Sequence, residues 1–243
     1  MKLPSDHKIL MPYLTGGAVA DWTDHLRALV DAGADAIEIG LPFSDPTLDG
    51  ATIQEATHAA LTRGATLRGI LTRVSEVAGT VPLVASTYAN LVVRDRAFCS
   101  NLRDAGFDGL IVPDLPLEEC AEFENQDLDL VLLASPATTD ERLDEIARRS
   151  RGFVYAVTVM GTTGERETLA ASAADLARRL TTRSDLPVLL GFGISTPAQA
   201  AQAAQLADGV VIGAAIMRRV LDGAAPAELG AYLRSIREAM DEG

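Results

Sequence analysis

The sequence contains few residues of the types that build disulfide scaffolds, metal sites or lysine-based active sites. Its only lysines are Lys2 and Lys8, and its three histidines are scattered without ligand spacing. Cys99 and Cys120 are the only cysteines, and their separation fits neither a disulfide framework nor a metal-binding pair. These scarcities argue against Schiff-base chemistry and against a histidine-built metal site. Carboxylates, hydroxyls and backbone amides are left to carry any chemistry.

Positive charge and long apolar runs are also scarce. The chain has 21 Lys and Arg against 34 Asp and Glu, a net charge of -13, and so acidic a surface repels nucleic acid and anionic lipid. The longest apolar run, Gly209 to Met217, is far shorter than the ~18 residues of a spanning helix. Pro4 and Asp6 stand where a signal peptide would have its apolar stretch. We therefore expect a cytoplasmic protein that binds neither nucleic acid nor membranes.

Short aliphatic runs alternate with amphipathic stretches along all 243 residues. This alternation is typical of βαβ units around a parallel sheet, and ~250 residues is the usual length of a closed eight-fold barrel. No linker or composition shift divides the chain, so we expect one domain over residues 1–243 with the α/β fold of a single (β/α)8 TIM barrel. The eight predicted strands are Ile9–Tyr13, Ala36–Gly40, Leu83–Thr87, Gly109–Val112, Asp129–Leu133, Phe153–Val157, Val188–Gly191 and Gly209–Ile212.

The segments between these strands have helical periodicity, and an additional helix follows strand 2. Asp31-Ala-Gly-Ala-Asp35 and Asp104-Ala-Gly-Phe-Asp108 repeat the pattern of a helix that ends at glycine and turns into a strand. In such a barrel the functional residues lie at the carboxyl ends of the strands. The predicted helices are Ala20–Ala32, Ile53–Arg63, Leu67–Val77, Asp95–Ala105, Glu118–Asn125, Glu141–Arg149, Leu169–Thr181, Pro197–Ala204, Ala215–Val220 and Ala227–Met240.

Glu38 is the first candidate catalytic residue. Strand alternation places Ile37 and Ile39 on one face, and Ala36, Glu38 and Gly40 on the other. Because the bulky face must pack against helices, Glu38 projects into the barrel, where loss of hydration should raise its pKa toward the range useful for proton transfer. The alternative is a structural carboxylate neutralised by an interior arginine, but no predicted strand contains one.

The loop from Gly40 to Gly50 supplies two further carboxylates, Asp45 and Asp49. Aspartate before proline or glycine also builds turns, so each is either a site residue or a turn former. Other polar residues near strand ends present the same choice between a site and a structural role: Tyr88, Asn90, Asp114 and Tyr155.

Glycine loops follow the last strands and open helices. Gly191-Phe-Gly193-Ile-Ser195 follows strand 7, and Gly213-Ala214-Ala215 follows strand 8. Glycines admit a ligand close to the backbone, and helix N-termini offer free N–H groups to an anion. This pattern predicts a phosphate site at strands 7–8, while Met160-Gly-Thr-Thr-Gly164 after strand 6 is a candidate lid.

Taken together, these motifs resemble the tryptophan synthase α subunit family, in order along almost the whole chain. The motifs are Glu38-Ile-Gly-Leu-Pro-Phe-Ser-Asp-Pro-Thr-Leu-Asp49-Gly-Ala-Thr-Ile-Gln54, Tyr88-Ala-Asn90, Pro113-Asp-Leu-Pro116, Gly161-Thr-Thr-Gly164 and Gly191-Phe-Gly-Ile-Ser195. The resemblance implies a lyase of tryptophan biosynthesis that cleaves indole-3-glycerol phosphate to indole and glyceraldehyde 3-phosphate. It also implies no cofactor, no metal and no Schiff base.

The resemblance assigns roles to individual residues. Glu38 is the implied general acid/base, and Asp49 is implied to hydrogen-bond the indole N–H. Tyr155 is implied to orient Glu38, and Thr163 is implied to bridge the lid to Asp49. The remaining implied substrate contacts are Tyr13, Tyr88 and Phe192, and the implied phosphate-binding residues are Gly164, Gly193, Gly213 and Ala214.

The resemblance further implies a β-subunit partner, which Pro42 and Asp45 would face. Three departures from the family pattern bear on this partner or on phosphate binding: Ala214 replaces a usual serine, Gly16-Gly17-Ala18 replaces a usual Gly-Asp-Pro, and only about eight residues precede the first strand. The open alternatives are a free-standing indole-3-glycerol-phosphate lyase, another phosphate-barrel isomerase or synthase, and a non-catalytic regulatory subunit.

Overall fold

A computed structural model describes residues 1–123, 128–157, 166–191 and 193–242, with backbone alone for residues 166–170. Eight parallel strands pair in chain order and close into a barrel, which confirms the predicted fold. Six of the predicted strands differ from the observed ones by one or two residues at an end, and two match. The strands are β1 Ile9–Thr15, β2 Ile37–Gly40, β3 Leu83–Ser86, β4 Gly109–Ile111, β5 Asp129–Ala134, β6 Val154–Val157, β7 Val188–Gly191 and β8 Gly209–Ile212.

Helices surround the barrel, and two of them lie between β2 and β3 as predicted. No helix in the described ranges is long and apolar enough to cross a membrane. The helices are α1 Trp22–Asp31, α2 Ala51–Thr62, α3 Leu67–Val74, α4 Ala89–Val92, α5 Phe98–Asp104, α6 Asp140–Arg149, α7 Arg166–Thr181, α8 Pro197–Ala204, α9 Ala214–Leu221 and α10 Pro226–Glu242.

The main differences from the predicted helices lie between β3 and β5. The helix expected from Asp95 begins at Phe98, because the Asp95 carboxylate accepts the Ala97 N–H at 2.9 Å and holds a turn instead. The helix expected over Glu118–Asn125 is a 3₁₀ helix over Leu117–Glu122. Residues 124–127, which include the end of the expected helix, lie outside the described residues.

The short helix α4 was not predicted. Asp114, which follows β4, accepts the Ala89 N–H at 2.7 Å and so caps α4 from a neighbouring loop. A cap supplied from 25 residues along the chain leaves no local sequence pattern. Asp114 therefore has a structural role here.

The hydrophobic residues divide into a cluster inside the barrel and a cluster between barrel and helices. Ala36 belongs to the inner cluster, whereas Ile37 and Ile39 belong to the outer one, which confirms the predicted orientation of β2. The buried inner residues are Ile9, Met11, Ala36, Val84, Ile111, Val131, Phe153, Leu189 and Val211.

The barrel closes where β8 pairs with both β1 and β7. Gly209 lies opposite Ile9 in one register and opposite Leu189 in the other. A Cβ atom at this position would lie 2.6 Å from Ile9 Cβ and 2.7 Å from Leu189 Cδ2, closer than packed carbon atoms approach. The seam therefore requires glycine.

Substitution of this glycine should destabilise the barrel. We expect Gly209→Ala to lower the free energy of unfolding by about 1–3 kcal/mol, the usual cost of overpacking a core. Urea denaturation followed by circular dichroism measures the change. Gly50→Ala is the matched control, since a Cβ at Gly50 meets nothing within 4 Å. An unchanged free energy of unfolding in Gly209→Ala would contradict the packing described at the seam.

Candidate active site

Glu38 lies inside the barrel, near the carboxyl end of β2. Its neighbours in register are Tyr13 on β1 and Val84 on β3, and only 5% of its surface is exposed. Burial raises the pKa of the Glu38 carboxyl to about 7, opposed by hydrogen bonds from Ser86 and Tyr155 and assisted by the nearby charge of Asp49. A carboxyl with a pKa near neutrality can both give and take a proton at physiological pH.

Two glycines make room for the two tyrosines beside Glu38. Tyr13 extends across β2, where a Cβ at Gly40 would overlap the phenol oxygen. Tyr155 extends across β7, where a Cβ at Gly191 would lie 2.7 Å from its hydroxyl oxygen. Both rings can therefore approach the carboxylate because the neighbouring strand has no side chain there.

The Tyr13 and Tyr155 hydroxyls are kept protonated by their surroundings. Burial raises the pKa of each phenol, and the nearby Glu38 charge raises it further. The Tyr13 oxygen also accepts a hydrogen bond from Thr15 Oγ1 at 3.1 Å. Tyr155 therefore contacts Glu38 as a neutral hydrogen-bond donor, which is the orienting contact that the resemblance implies.

Asp49 lies half-buried in the β2–α2 loop and faces Tyr88 at the end of β3. Burial raises the pKa of the Asp49 carboxyl, and a hydrogen bond from the Tyr88 hydroxyl opposes that rise. Tyr88 also accepts the Leu48 N–H at 3.0 Å and stacks on Phe43, with ring centroids 5.3 Å apart. One tyrosine thus fixes the loop that carries Asp49.

Burial and the charge of Asp49 raise the pKa of Tyr88 itself to about 12, so Tyr88 remains a hydrogen-bond donor. A cavity at this end of the barrel is lined by residues from β1, β2, β3 and the β2–α2 loop. Among its lining residues are Tyr13, Gly40, Phe43, Asp49, Ser86, Tyr88 and Pro113. The structure therefore brings Asp49 and two other predicted site residues, Tyr13 and Tyr88, around one cavity.

Asp45 and Pro42 occupy the same loop but point elsewhere. Asp45 is exposed, and its carbonyl accepts the Thr47 N–H at 2.9 Å in a tight turn. Pro42 is half-buried. Asp45 therefore forms part of the outer surface of the loop, whereas Asp49 faces the cavity.

The two glycine loops at β7 and β8 lead into helices with different N-termini. At α8, Gln199 Oε1 accepts the N–H groups of Ser195 at 2.9 Å and Thr196 at 3.2 Å. At α9 the N-cap is Gly213, no side chain caps the helix, and Ala214 is exposed. An anion is therefore better accommodated at α9, where the first-turn amides have no capping side chain.

Gly213 also lies next to Tyr13, the register neighbour of Glu38. A Cβ at Gly213 would lie 3.6 Å from Tyr13 Cβ, and Tyr13 is paired in register with Glu38. The amino end of α9 and the buried carboxyl thus border the same tyrosine. Gly193 is exposed in the loop after β7 with a φ of 37°, a conformation that favours glycine.

Three predicted site residues, Thr163, Gly164 and Phe192, lie outside the described residues, as does the whole candidate lid, Met160 to Gly164. In the part of the chain that the structure describes, no three His, Cys, Asp or Glu residues form a group suited to a metal ion.

Two site residues were missed in the sequence, Ser86 and Phe43. Ser86 shares the inward face of β3 with Val84, so strand alternation alone could have identified it. Phe43 is a loop residue whose partner ring is 45 positions away, and no local pattern indicates that contact.

Comparison with known proteins places this chain within one family. A family model described as "Tryptophan synthase alpha chain" matches residues 2–239. The tryptophan synthase alpha chain of Chloroflexus aggregans is 42% identical over 248 residues, covering 96% of this chain and 92% of that protein. The alpha chain of a Synechococcus species is 41% identical, with 96% and 91% covered.

Solved structures agree with the sequence comparisons. A structure of Mycobacterium tuberculosis tryptophan synthase aligns with a TM-score of 0.88 at 39% identity, covering 98% of this chain and 94% of that chain. Tryptophan synthase subunit alpha of Legionella pneumophila aligns with a TM-score of 0.86 at 31% identity, with 97% and 94% covered. The chain therefore belongs to the tryptophan synthase alpha chain family, whose members are lyases of tryptophan biosynthesis.

Proposed function

We propose that Glu38 and Asp49 perform the acid/base chemistry by which this chain cleaves indole-3-glycerol phosphate to indole and glyceraldehyde 3-phosphate. The observation that carries the proposal is the difference between the two carboxyl environments. Glu38 is buried with a pKa of about 7, whereas Asp49 is half-buried and lines a cavity that Tyr13, the register neighbour of Glu38, also lines. A buried carboxyl is suited to donate a proton, and a partly solvated one is suited to act as an anion.

The cleavage requires one proton to be given and one to be taken. Protonated Glu38 delivers its proton to the indole carbon that bears the glycerol chain, which converts the ring to an indolenine-type cation. Ionised Asp49 stabilises the ring N–H as it becomes acidic. Glu38, now a carboxylate, accepts the proton of the adjacent glycerol hydroxyl.

Electron flow completes the reaction and restores the enzyme. The electron pair of the carbon–carbon bond returns to the indole ring as the hydroxyl carbon becomes the aldehyde. The proton that Glu38 gave is replaced by the proton that it takes, so the residue ends the cycle protonated. The protonated ring is therefore the electron sink of the reaction.

No lysine imine is part of this proposal. Lys2 and Lys8 both precede β1, and Lys8 Nζ donates to the Ala207 carbonyl at 2.8 Å at the amino end of the barrel. The proposal likewise assigns no role to a metal. A cytoplasmic location is also proposed, and the buried thiols of Cys99 and Cys120 are suited to a reducing compartment.

The substrate phosphate is assigned to the amino end of α9, with Gly213 and Ala214 as the nearest backbone donors. The helix dipole and the first-turn N–H groups favour a dianion there. Gly193 and Gly164 complete the assignment from the loops after β7 and β6. Tyr13 lies between this position and Glu38, so it would border the indole ring. The family resemblance assigns Phe192 to the same ring, and Phe192 lies outside the described residues.

A β subunit of tryptophan synthase is the proposed partner, and the loop around Asp45 is the proposed contact. Leu48 in this loop and Val93 after α4 are each 60% exposed. Burial of such exposed apolar side chains by a partner would favour association. The same loop carries Asp49, and Tyr88 connects it to β3.

Glu38→Gln tests the acid/base assignment. The amide occupies the same volume but cannot exchange the proton, so turnover should fall by ~10²–10⁴. Indole release, measured with saturating indole-3-glycerol phosphate, reports turnover, and glycerol phosphate affinity reports whether the site is intact.

Asp49→Asn should also lower turnover severely while the protein stays folded.

The pH profile of the parent protein separates the two roles. Activity should fall on the alkaline side near pH 7, where Glu38 loses its proton, and on the acid side as Asp49 becomes protonated. Turnover in Glu38→Gln within a few-fold of the parent would refute the assignment. Unfolding of Asp49→Asn would show that Asp49 is only a turn former.

Ala214→Ser tests the phosphate assignment. A serine hydroxyl at the first residue of α9 adds one donor near the anion, and a single neutral hydrogen bond is worth ~0.5–1.5 kcal/mol. Glycerol phosphate should bind up to about tenfold more tightly, as measured by calorimetry. Ala198→Ser is the matched control on α8. Equal affinities in parent, Ala214→Ser and a bulky Gly193 variant would place the anion elsewhere.

Asp45→Ala tests the proposed contact with the β subunit. A partner that presses on this loop would move Asp49 relative to Glu38. A misplacement of ~1 Å at a reacting centre can lower the reaction rate ~10²-fold. Asp45→Ala should therefore reduce stimulation by the β subunit far more than the basal rate of indole release. Asp31→Ala, which removes an exposed carboxylate at the end of α1, is the control. A parent rate that a β subunit leaves unchanged would favour a free-standing lyase.

A further inference from the structure

We propose that Ser86 is a positioning residue for Glu38, which holds the carboxyl in the orientation needed for proton transfer. The inference deepens the proposed function, because it rests on Glu38 as the acid/base group. Ser86 has no role in the assignments above, and among the described side chains no lysine, arginine or histidine acts on the Glu38 carboxyl. A neutral hydroxyl is therefore available to orient it from β3.

The strand register places Ser86 beside Glu38. On β2 and β3 the paired positions are Glu38 with Val84 and Gly40 with Ser86. Val84 belongs to the inner cluster, and alternation gives Ser86 the same inward direction one layer nearer the carboxyl end. The Ser86 hydroxyl hydrogen-bonds the Glu38 carboxylate.

Gly40, the register partner of Ser86, has no side chain on the inward face of β2. The space above Gly40 is filled by the Tyr13 phenol, which leaves Ser86 on the β3 side of the carboxyl. Ser86 also lines the cavity that Asp49 borders. The carboxyl therefore meets a hydroxyl from the adjacent strand at the wall of the substrate cavity.

Ser86 and Tyr155 approach the carboxyl from different sides of the barrel. Ser86 belongs to β3, the neighbour of β2, whereas Tyr155 belongs to β6, which does not pair with β2. Two donors from different directions fix the plane of a carboxylate better than one donor can. They also stabilise its ionised form, which opposes the effect of burial.

Loss of the serine hydroxyl should change both the rate and the pH dependence. In Ser86→Ala the ionised Glu38 loses a hydrogen bond, so its pKa rises and the alkaline limb of the activity profile moves to higher pH by about one pH unit. At a pH below that limb, kcat should fall about tenfold from loss of orientation, with KM within about twofold. Ser86→Thr, which keeps the hydroxyl, should retain the parent profile.

A direct titration separates this inference from the catalytic role of Glu38. Carbon-13 NMR of glutamate-labelled protein without substrate follows the Glu38 carboxyl, whose signal is identified by its loss in Glu38→Gln. The midpoint should rise in Ser86→Ala and stay unchanged in Ser235→Ala, which removes a serine hydroxyl bonded only within α10. Thermal unfolding of each variant confirms that the fold is intact.

The outcomes are distinct. If the NMR midpoint moves but Glu38→Gln remains active, Ser86 positions Glu38 and the proposed catalytic role fails. If neither the midpoint nor the activity profile moves in Ser86→Ala, Ser86 does not position Glu38. A rise in KM with unchanged kcat and unchanged pH profile would show instead that Ser86 only contacts the substrate.

Discussion

The desolvation of one carboxyl is the constraint on which the site depends. Glu38 lies in the barrel interior with no cationic partner among the side chains that the structure describes, and burial raises its pKa to about 7. An isolated carboxylate in such surroundings is costly, so the group is kept near its neutral form by its environment. That cost is the source of its reactivity, because it makes proton donation possible at neutral pH.

Neighbouring strands are built around this carboxyl. Gly40 and Gly191 lack side chains where Tyr13 and Tyr155 need space, and Ser86 adds a small hydroxyl from β3. Each change of residue type at these positions would alter the carboxyl's hydration or orientation. The interior at this end is therefore shaped for a polar group, while the layers nearer the amino end contain aliphatic side chains.

The position of the second carboxyl, Asp49, is fixed by the contacts of its loop. Asp49 lies on a loop and depends on Tyr88, which bonds that loop through Leu48 and stacks on Phe43. A strand thus holds Glu38, and a surface loop holds Asp49. Because the same loop exposes Asp45 and Leu48, a protein that binds this surface can alter the distance between the two carboxyls without touching Glu38.

The sequence by itself determined the eight strands, the two helices after β2 and the inward direction of Glu38, because hydrophobic periodicity and strand alternation are local properties. Its family motifs supplied the candidate site residues, whose roles stay predictions. Only the tertiary structure decided that Asp114 caps α4, that Tyr88 acts on Asp49, and that Ser86 acts on Glu38. These contacts join residues from different strands and loops, whereas the Gln199 bonds at α8 belong to a local capping box with Thr196. A side-chain donor and its acceptor leave no periodic trace until the chain folds.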